Sequence, residues 1–258
     1  MTGILITDFI IVLLIFLRII STFMAAPIFN STAFPVLPKL FLAFVISYII
    51  FLTIDKSSIN VQVNLWWLFI NAIKEMFTGL VIGFMLQMVF WGIQYAGGLI
   101  GFDMGLTMSD TFNPMDQSQS NVIGEALNIG AILIFFLIDG HLYIIRGLSY
   151  SFTVVAIGKF SFTKPLYELL IKYSGSVFII AVKIAAPIMV SFFLIHIGEG
   201  IMARIIPQMQ VFFVTQPLKI GLGFALLAGV TPLYVYIIKN LLQDYENSLF
   251  NLIKAMGS

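Results

Sequence analysis

Arg18, Lys74, Glu75, Lys183 and Lys219 stand inside otherwise apolar stretches of this chain. At the centre of a lipid-facing helix each charge would cost about 2.5–3.5 kcal/mol, so each needs a reason. One reason is chemistry, an ion or proton pathway. Such pathways gather several intramembrane carboxylates. Here Glu75 is the clear mid-segment carboxylate, with Glu125 near a segment start. The other reason is structural: the side chains face protein neighbours, or snorkel out of the apolar layer. Lys74 and Glu75 are sequence neighbours, about 100° apart on a helix, and need not pair with each other. His141 follows Asp139 and His196 precedes Glu199, so both histidines have carboxylates nearby. They read either as metal ligands or as helix-end histidines bonded to their surroundings, and no His-Glu-x-x-His motif favours the first. A serine nucleophile on a Gly-x-Ser-x-Gly turn is absent, as are Gly-x-Gly-x-x-Gly and P-loop motifs. There are no cysteines, which excludes disulfides, thiolate metal sites and cysteine nucleophiles. The expectation is a protein that is not an enzyme and carries no cofactor or metal.

The elements that position these residues are helical and apolar. Of 258 residues, 60% are hydrophobic and 10% charged, and mean hydropathy is +1.05. Soluble domains carry about 25% charge, so this composition is that of an integral membrane protein. A net charge of +1 gives no support for nucleic-acid binding. The N-terminal segment lacks a basic leader region and a small-residue cleavage site, and reads as a membrane helix that is retained.

A spanning helix needs about 20 mainly apolar residues, and six segments approach that standard. The first, residues 4–26, contains Arg18 and is closed by Pro27. A connector with Pro35, Pro38 and Lys39 leads to a short second segment, 40–54. A polar turn at 55–64 precedes a third segment that starts at Leu65 and is too long for one span. Its expected break is Gly92 or Gly97–Gly98. Residues 103–121 are expected to form a loop. The fourth segment, 122–138, either ends there or continues past Asp139, Gly140 and His141 to 151. A loop at 158–173 carries Lys159, Lys164 and Lys172. The fifth segment, 175–197, holds Pro187, and the sixth, 211–242, holds Pro217 and Pro232; an amphipathic tail follows at 244–258. The prolines predict kinks and short, bent hairpins. Strand alternation is absent, so the predicted fold class is all-α. If all six segments span, the lysine-bearing loop and both termini are cytoplasmic. The short second and long third segments leave that count open.

Gly97, Gly101 and Gly105 recur at a spacing that places them on one helix face bare of side chains, a surface for close helix approach. Gly79 and Gly83 make a second such pair. The first seam runs into Met104, Met108, Phe112 and Met115. Methionine adapts to irregular contacts, so this stretch is either a soft seal or ordinary core packing. Broken helices at membrane depth are tolerated where protein buries them, and one chain of this size supplies little. A hetero-oligomer is therefore expected.

Four blocks, in order, carry a family resemblance. Arg18 precedes Ala26, Pro27 and Phe29, then Pro35, Pro38 and Lys39. The block from Gly98 to Pro114 resembles the family's Gly-x-x-x-Gly-x-x-x-Gly run, with Asn113 and Pro114 where Asp-Pro is common. Gly140 and His141 precede Ser151 and Phe152. Gly200, Arg204, Pro207, Gln208, Val211 and Phe212 form the last block, followed by Pro217. Over nearly its whole length the chain resembles the FliR/SctT family of type III export-gate components. The resemblance implies a single gate domain over residues 1–258, built of kinked helical hairpins that wind with FliP and FliQ into a closed, cone-like assembly. FlhB and FlhA are implied as further partners, unfolded export substrates as cargo, and the bacterial inner membrane at the flagellar basal body as location. It implies that residues 105–121 are a plug, with Met104, Met108, Phe112 and Met115 helping to seal the pore. Arg18 and Arg204 are assigned to subunit contacts. Gly140–His141 favours the flagellar branch over the injectisome branch, where Gly-Gly is more frequent. A small-solute secondary transporter is the contrasting expectation. It predicts matching inverted halves, and none is visible. An intramembrane hydrolase would need a catalytic constellation the sequence lacks.

Overall fold

Long, near-continuous apolar runs fill most of this chain, and a computed structural model answers them with helices alone among the described residues. These are residues 2–30, 35–54, 64–106, 121–208 and 210–257. In chain order the helices are α1 (Thr2–Ala25), α2 (Pro27–Asn30), α3 (Val36–Thr53), α4 (Leu65–Asp103), α5 (Val122–Leu137), α6 (Gly140–Val154), α7 (Lys164–Ile205) and α8 (Val211–Met256). Five are long and apolar enough to cross a membrane, or six if α5 and α6, bent by 69°, form one broken span. The chain is an all-α membrane protein, as its composition predicts.

The helix boundaries correct the sequence expectations. The third segment does not break at Gly92 or at Gly97–Gly98: α4 runs unbroken for 39 residues. At 1.5 Å per residue α4 is about 58 Å long, roughly twice the hydrocarbon core of a bilayer. Interior glycines cost a helix about 1 kcal/mol each, but here they admit close neighbours. A Cβ on Gly92 would lie 2.7 Å from Ile180, and one on Gly97 would overlap the backbone of Gly124. Pro187 sits inside the 42-residue α7, and Pro217 and Pro232 inside the 46-residue α8. The prolines therefore do not divide these helices into short hairpins. The expected loop at 158–173 is helical from Lys164 onward. The amphipathic tail is the last part of α8, with Tyr245, Leu249, Leu252, Ile253 and Met256 buried. The break that does occur is at Asp139, which adopts a left-handed backbone (φ 57°) between α5 and α6. Aspartate tolerates that region better than most residues.

Two compact units result, and neither is a continuous stretch of chain. Unit 1 comprises Met1–Met88, Asp139–Ser174 and Leu242–Ser258; unit 2 comprises Val89–Ile138 and Gly175–Leu241. In unit 1, α3 packs on α1. Helix α1 buries Ile11, Leu14, Ile15, Arg18, Ile19, Thr22 and Phe23, one face at helical spacing. Pro27 ends α1, having no N–H to continue it, and opens the single turn of α2. In unit 2 the core holds Phe90, Ile93, Ile100, Met104, Phe135, Ile184, Ile188 and Phe192. Phe90 and Phe135 meet edge to face at 6.3 Å.

Candidate functional site

The intramembrane charges are accounted for first. In unit 1, Arg18 and Glu75 are fully buried and joined at 2.6 Å through Nε and Oε2. The guanidinium also donates to Ser151 Oγ and to the Val155 carbonyl, each at 3.1 Å. It lies 4.0 Å from the ring centroid of Phe152. The second carboxylate oxygen of Glu75 accepts from the Gly158 N–H at 2.8 Å. Lys74 Nζ donates to the Gly158 carbonyl at 3.0 Å. Gly158 has φ 79°, and a Cβ there would overlap Asn71. The network ties α1, α4, α6 and the connection after α6. Its groups are paired with one another, an arrangement that locks a structure and offers no open relay. The Arg18 side chain, which the family resemblance assigns to a subunit contact, is fully buried and makes these bonds within its own chain. Arg204, near the end of α7, is exposed. Lys183 is also exposed, and Lys219 pairs with Glu199 at 2.7 Å in unit 2.

Gly79 and Gly83 serve the same unit. A Cβ on Gly79 would overlap the Arg18 carbonyl, and one on Gly83 would lie 2.5 Å from the Thr22 carbonyl. Thr22 Oγ1 bridges the two backbones, donating to Gly79 O at 3.0 Å. This is the close helix approach expected of that pair.

The second site is the pair of ends that flank residues 107–120. Met108, Phe112 and Met115 lie outside the described residues; Met104 and the three seam glycines lie within them. Helix α4 ends at Asp103, so Gly105 is beyond the helix and not a third step of its face. Gly105 has φ 76°. The Leu106 N–H donates to Gly101 O at 3.0 Å and the Gly105 N–H to Phe102 O at 2.9 Å. This paired closure uses a left-handed glycine to satisfy the last carbonyls of a helix. Gln216 Nε2 on α8 then donates to Met104 O at 3.1 Å. Met104 is fully buried, against Gly223, where a Cβ would come within 2.6 Å of it. It is a packed anchor in the unit 2 core.

The far end is held as firmly. Asn121 caps α5, its Oδ1 accepting from the Gly124 N–H at 2.8 Å. Its Nδ2 donates to Gln94 O on α4 at 3.0 Å. Gly97 and Gly124 meet backbone to backbone, whereas a Cβ on Gly101 would find its nearest neighbours at 3.9 and 4.0 Å. The seam is therefore tight at Gly97 and slack at Gly101. Among the described residues no group of three His, Asp or Glu can hold a metal ion. Asn121, a capping residue type directly before an apolar run, carries a local signal in the sequence. Gln216 carried no local signal, because its partner is 112 positions away.

A family model described as bacterial export proteins, family 1, matches residues 9–245. The flagellar biosynthetic protein FliR of Bacillus subtilis (strain 168) is 30% identical over 249 residues, 95% of each chain. FliR of Aquifex aeolicus (strain VF5) is 28% identical over 252 residues, 97% of each chain. FliR of Escherichia coli (strain K12) is 26% identical, covering 93% of this chain and 91% of that one. With four motif blocks in order and a match over almost the entire length, this chain belongs to the FliR family of bacterial export proteins.

Proposed function

We propose that the chain is a pore-forming core subunit of the flagellar type III export gate in the bacterial inner membrane. In this reading it assembles with FliP and FliQ, contacts FlhB and FlhA, and passes unfolded substrates without catalysing a reaction. Residues 105–121 are its plug. The observation that carries the plug assignment is the fixing of both flanks of 107–120: Gln216 and the buried Met104 hold one end, and Asn121 holds the other. A segment tethered so can be displaced while its base stays in place. Met108, Phe112 and Met115 then supply apolar side chains that exclude water and ions from a closed constriction. Full-length similarity to proteins named for flagellar biosynthesis supports the flagellar branch.

Replacing residues 107–120 with a Gly-Ser linker of equal length tests the reading. Ion leakage across membranes containing the assembled gate is expected to rise, while co-purification with FliP and FliQ stays at wild-type level. Unchanged conductance in an intact assembly removes the plug assignment.

A further inference from the structure

Arg18, Glu75 and Lys219 each find an ion-pair partner within the chain. Lys183, on α7, has no partner among the described residues, and its side chain is exposed. It is the single formal charge in residues 173–198. As helix that stretch is about 39 Å long, against a hydrocarbon core of about 30 Å. A span moved clear of Lys183 in one direction takes in Lys172, Glu168 and Lys164 instead. Moved in the other, it takes in Glu199 and leaves the exposed Phe178, Ile179 and Val182 in water. Lys183 therefore lies inside the apolar layer. Ile179, Lys183, Val190, Leu194 and Ile197 share one face of α7 and are all exposed. The opposite face, with Ile184, Ile188 and Phe192, is buried in unit 2. Pro187, one turn beyond, has no N–H to give the Lys183 carbonyl. One level of an outward apolar stripe thus carries a cation and a backbone acceptor that lacks its usual donor.

We infer that Lys183 forms an ion pair with an aspartate or glutamate on an apolar helix of a different gate subunit, which packs along this stripe. The inference rests on the export-gate reading and adds the chemistry of one contact. An isolated ammonium in the apolar layer is costly, and such groups pair with one another. Lipid phosphate does not meet the need. In a span centred on residues 173–198, Lys183 is about 4 Å from the midplane and so about 11 Å from the edge of the core. The lysine stem reaches roughly 6 Å. Water in a lumen does not meet it either, because Ile179, Val190, Leu194 and Ile197 are the wall around it, and such a wall sheds water. A second copy of the chain meeting this stripe about a two-fold axis sets Lys183 near Lys183, and like charges repel. What remains is a different chain that brings the opposite charge.

The test co-expresses the full chain with FliP and FliQ and measures how much of each is recovered with it. Lys183→Met nearly keeps the length of the side chain and removes the charge. Expressed alone, that variant is expected to reach the membrane at the wild-type level or above, since a lone charge has left the apolar layer. In the assembly, recovery of one partner should fall about tenfold, as truncation of a desolvated interfacial charge pair does. Lys183→Arg keeps the charge and should stay within about twofold of wild type. Lys183→Glu should abolish recovery, and one Asp→Lys or Glu→Lys reversal in an apolar segment of FliP or FliQ should restore it to within about threefold. Undiminished recovery with Lys183→Met overturns the inference, and so does a Lys183→Glu loss that no such reversal repairs. A Lys183→Met chain that fails to reach the membrane by itself also overturns it, because the lysine then serves the chain's own fold. If FliP and FliQ are not recovered even with the wild-type chain, the export-gate reading itself falls, and this inference with it.

Discussion

Replacing Glu75 with glutamine removes one charge and little else. In the native chain Glu75 joins Arg18 at 2.6 Å with both side chains fully buried, and holds the Gly158 N–H at 2.8 Å. Glutamine preserves the volume and one acceptor oxygen, so it can keep Gly158 or Arg18 but not both. The guanidinium is left without a counter-charge in a site closed to water. Breaking a buried pair by removing one partner costs about 3–5 kcal/mol. The Ser151, Val155 and Phe152 contacts soften this but carry no negative charge. Against a total stability of roughly 5–15 kcal/mol, the loss is a fifth or more. Arg18→Leu orphans the carboxylate by the same logic. The double variant contains neither orphaned charge, so the two single costs do not add, and the expected coupling is on the order of 2–3 kcal/mol. The assay is detergent-denaturant unfolding of the purified assembly carrying each variant, followed by a probe within unit 1. Additive single effects, or a Glu75→Gln loss below about 0.5 kcal/mol, would show that the pair is not a mutually dependent buried lock.

Two further substitutions probe the flanks of 107–120. Gly97→Ala sets a methyl group into the Gly124 backbone and should cost about 1–3 kcal/mol. Gly101→Ala, with its nearest neighbours at 3.9 and 4.0 Å, should be neutral or stabilise by up to about 1 kcal/mol through helix propensity; paired thermal melts compare them, and equal losses refute the distinction. Asn121→Ala removes both the α5 cap and the bond to Gln94. It should cost about 1 kcal/mol and speed hydrogen exchange at the Gly124 amide, with unchanged protection counting against the anchor.

How much of this was legible in the sequence differs from residue to residue. The Gly79–Gly83 pair announced a close helix contact because small-residue spacing is a local pattern, and a backbone of α1 does lie against it. Gly105 shared the spacing of Gly97 and Gly101, but spacing cannot say where a helix ends. That depended on a left-handed closure held by Gln216, far along the chain. Arg18 and Glu75 were recognisable as charges needing partners. Their pairing across 57 positions was not, because ion pairs leave no periodic trace. The glycines and prolines argued for breaks in α4, α7 and α8, as their propensities dictate. The helices run through them because interhelical packing outweighs a propensity penalty of a few kcal/mol.

By itself, then, the sequence determined the helical class, the membrane character and the family, since these rest on composition, the length of the apolar runs and ordered short motifs. Only the tertiary structure decided which charges neutralise each other, which glycines are filled and which stand open, and how the ends of residues 107–120 are tied down. Those properties belong to contacts between residues distant in the chain, and a contact's energy depends on distance and burial that no single stretch of residues records.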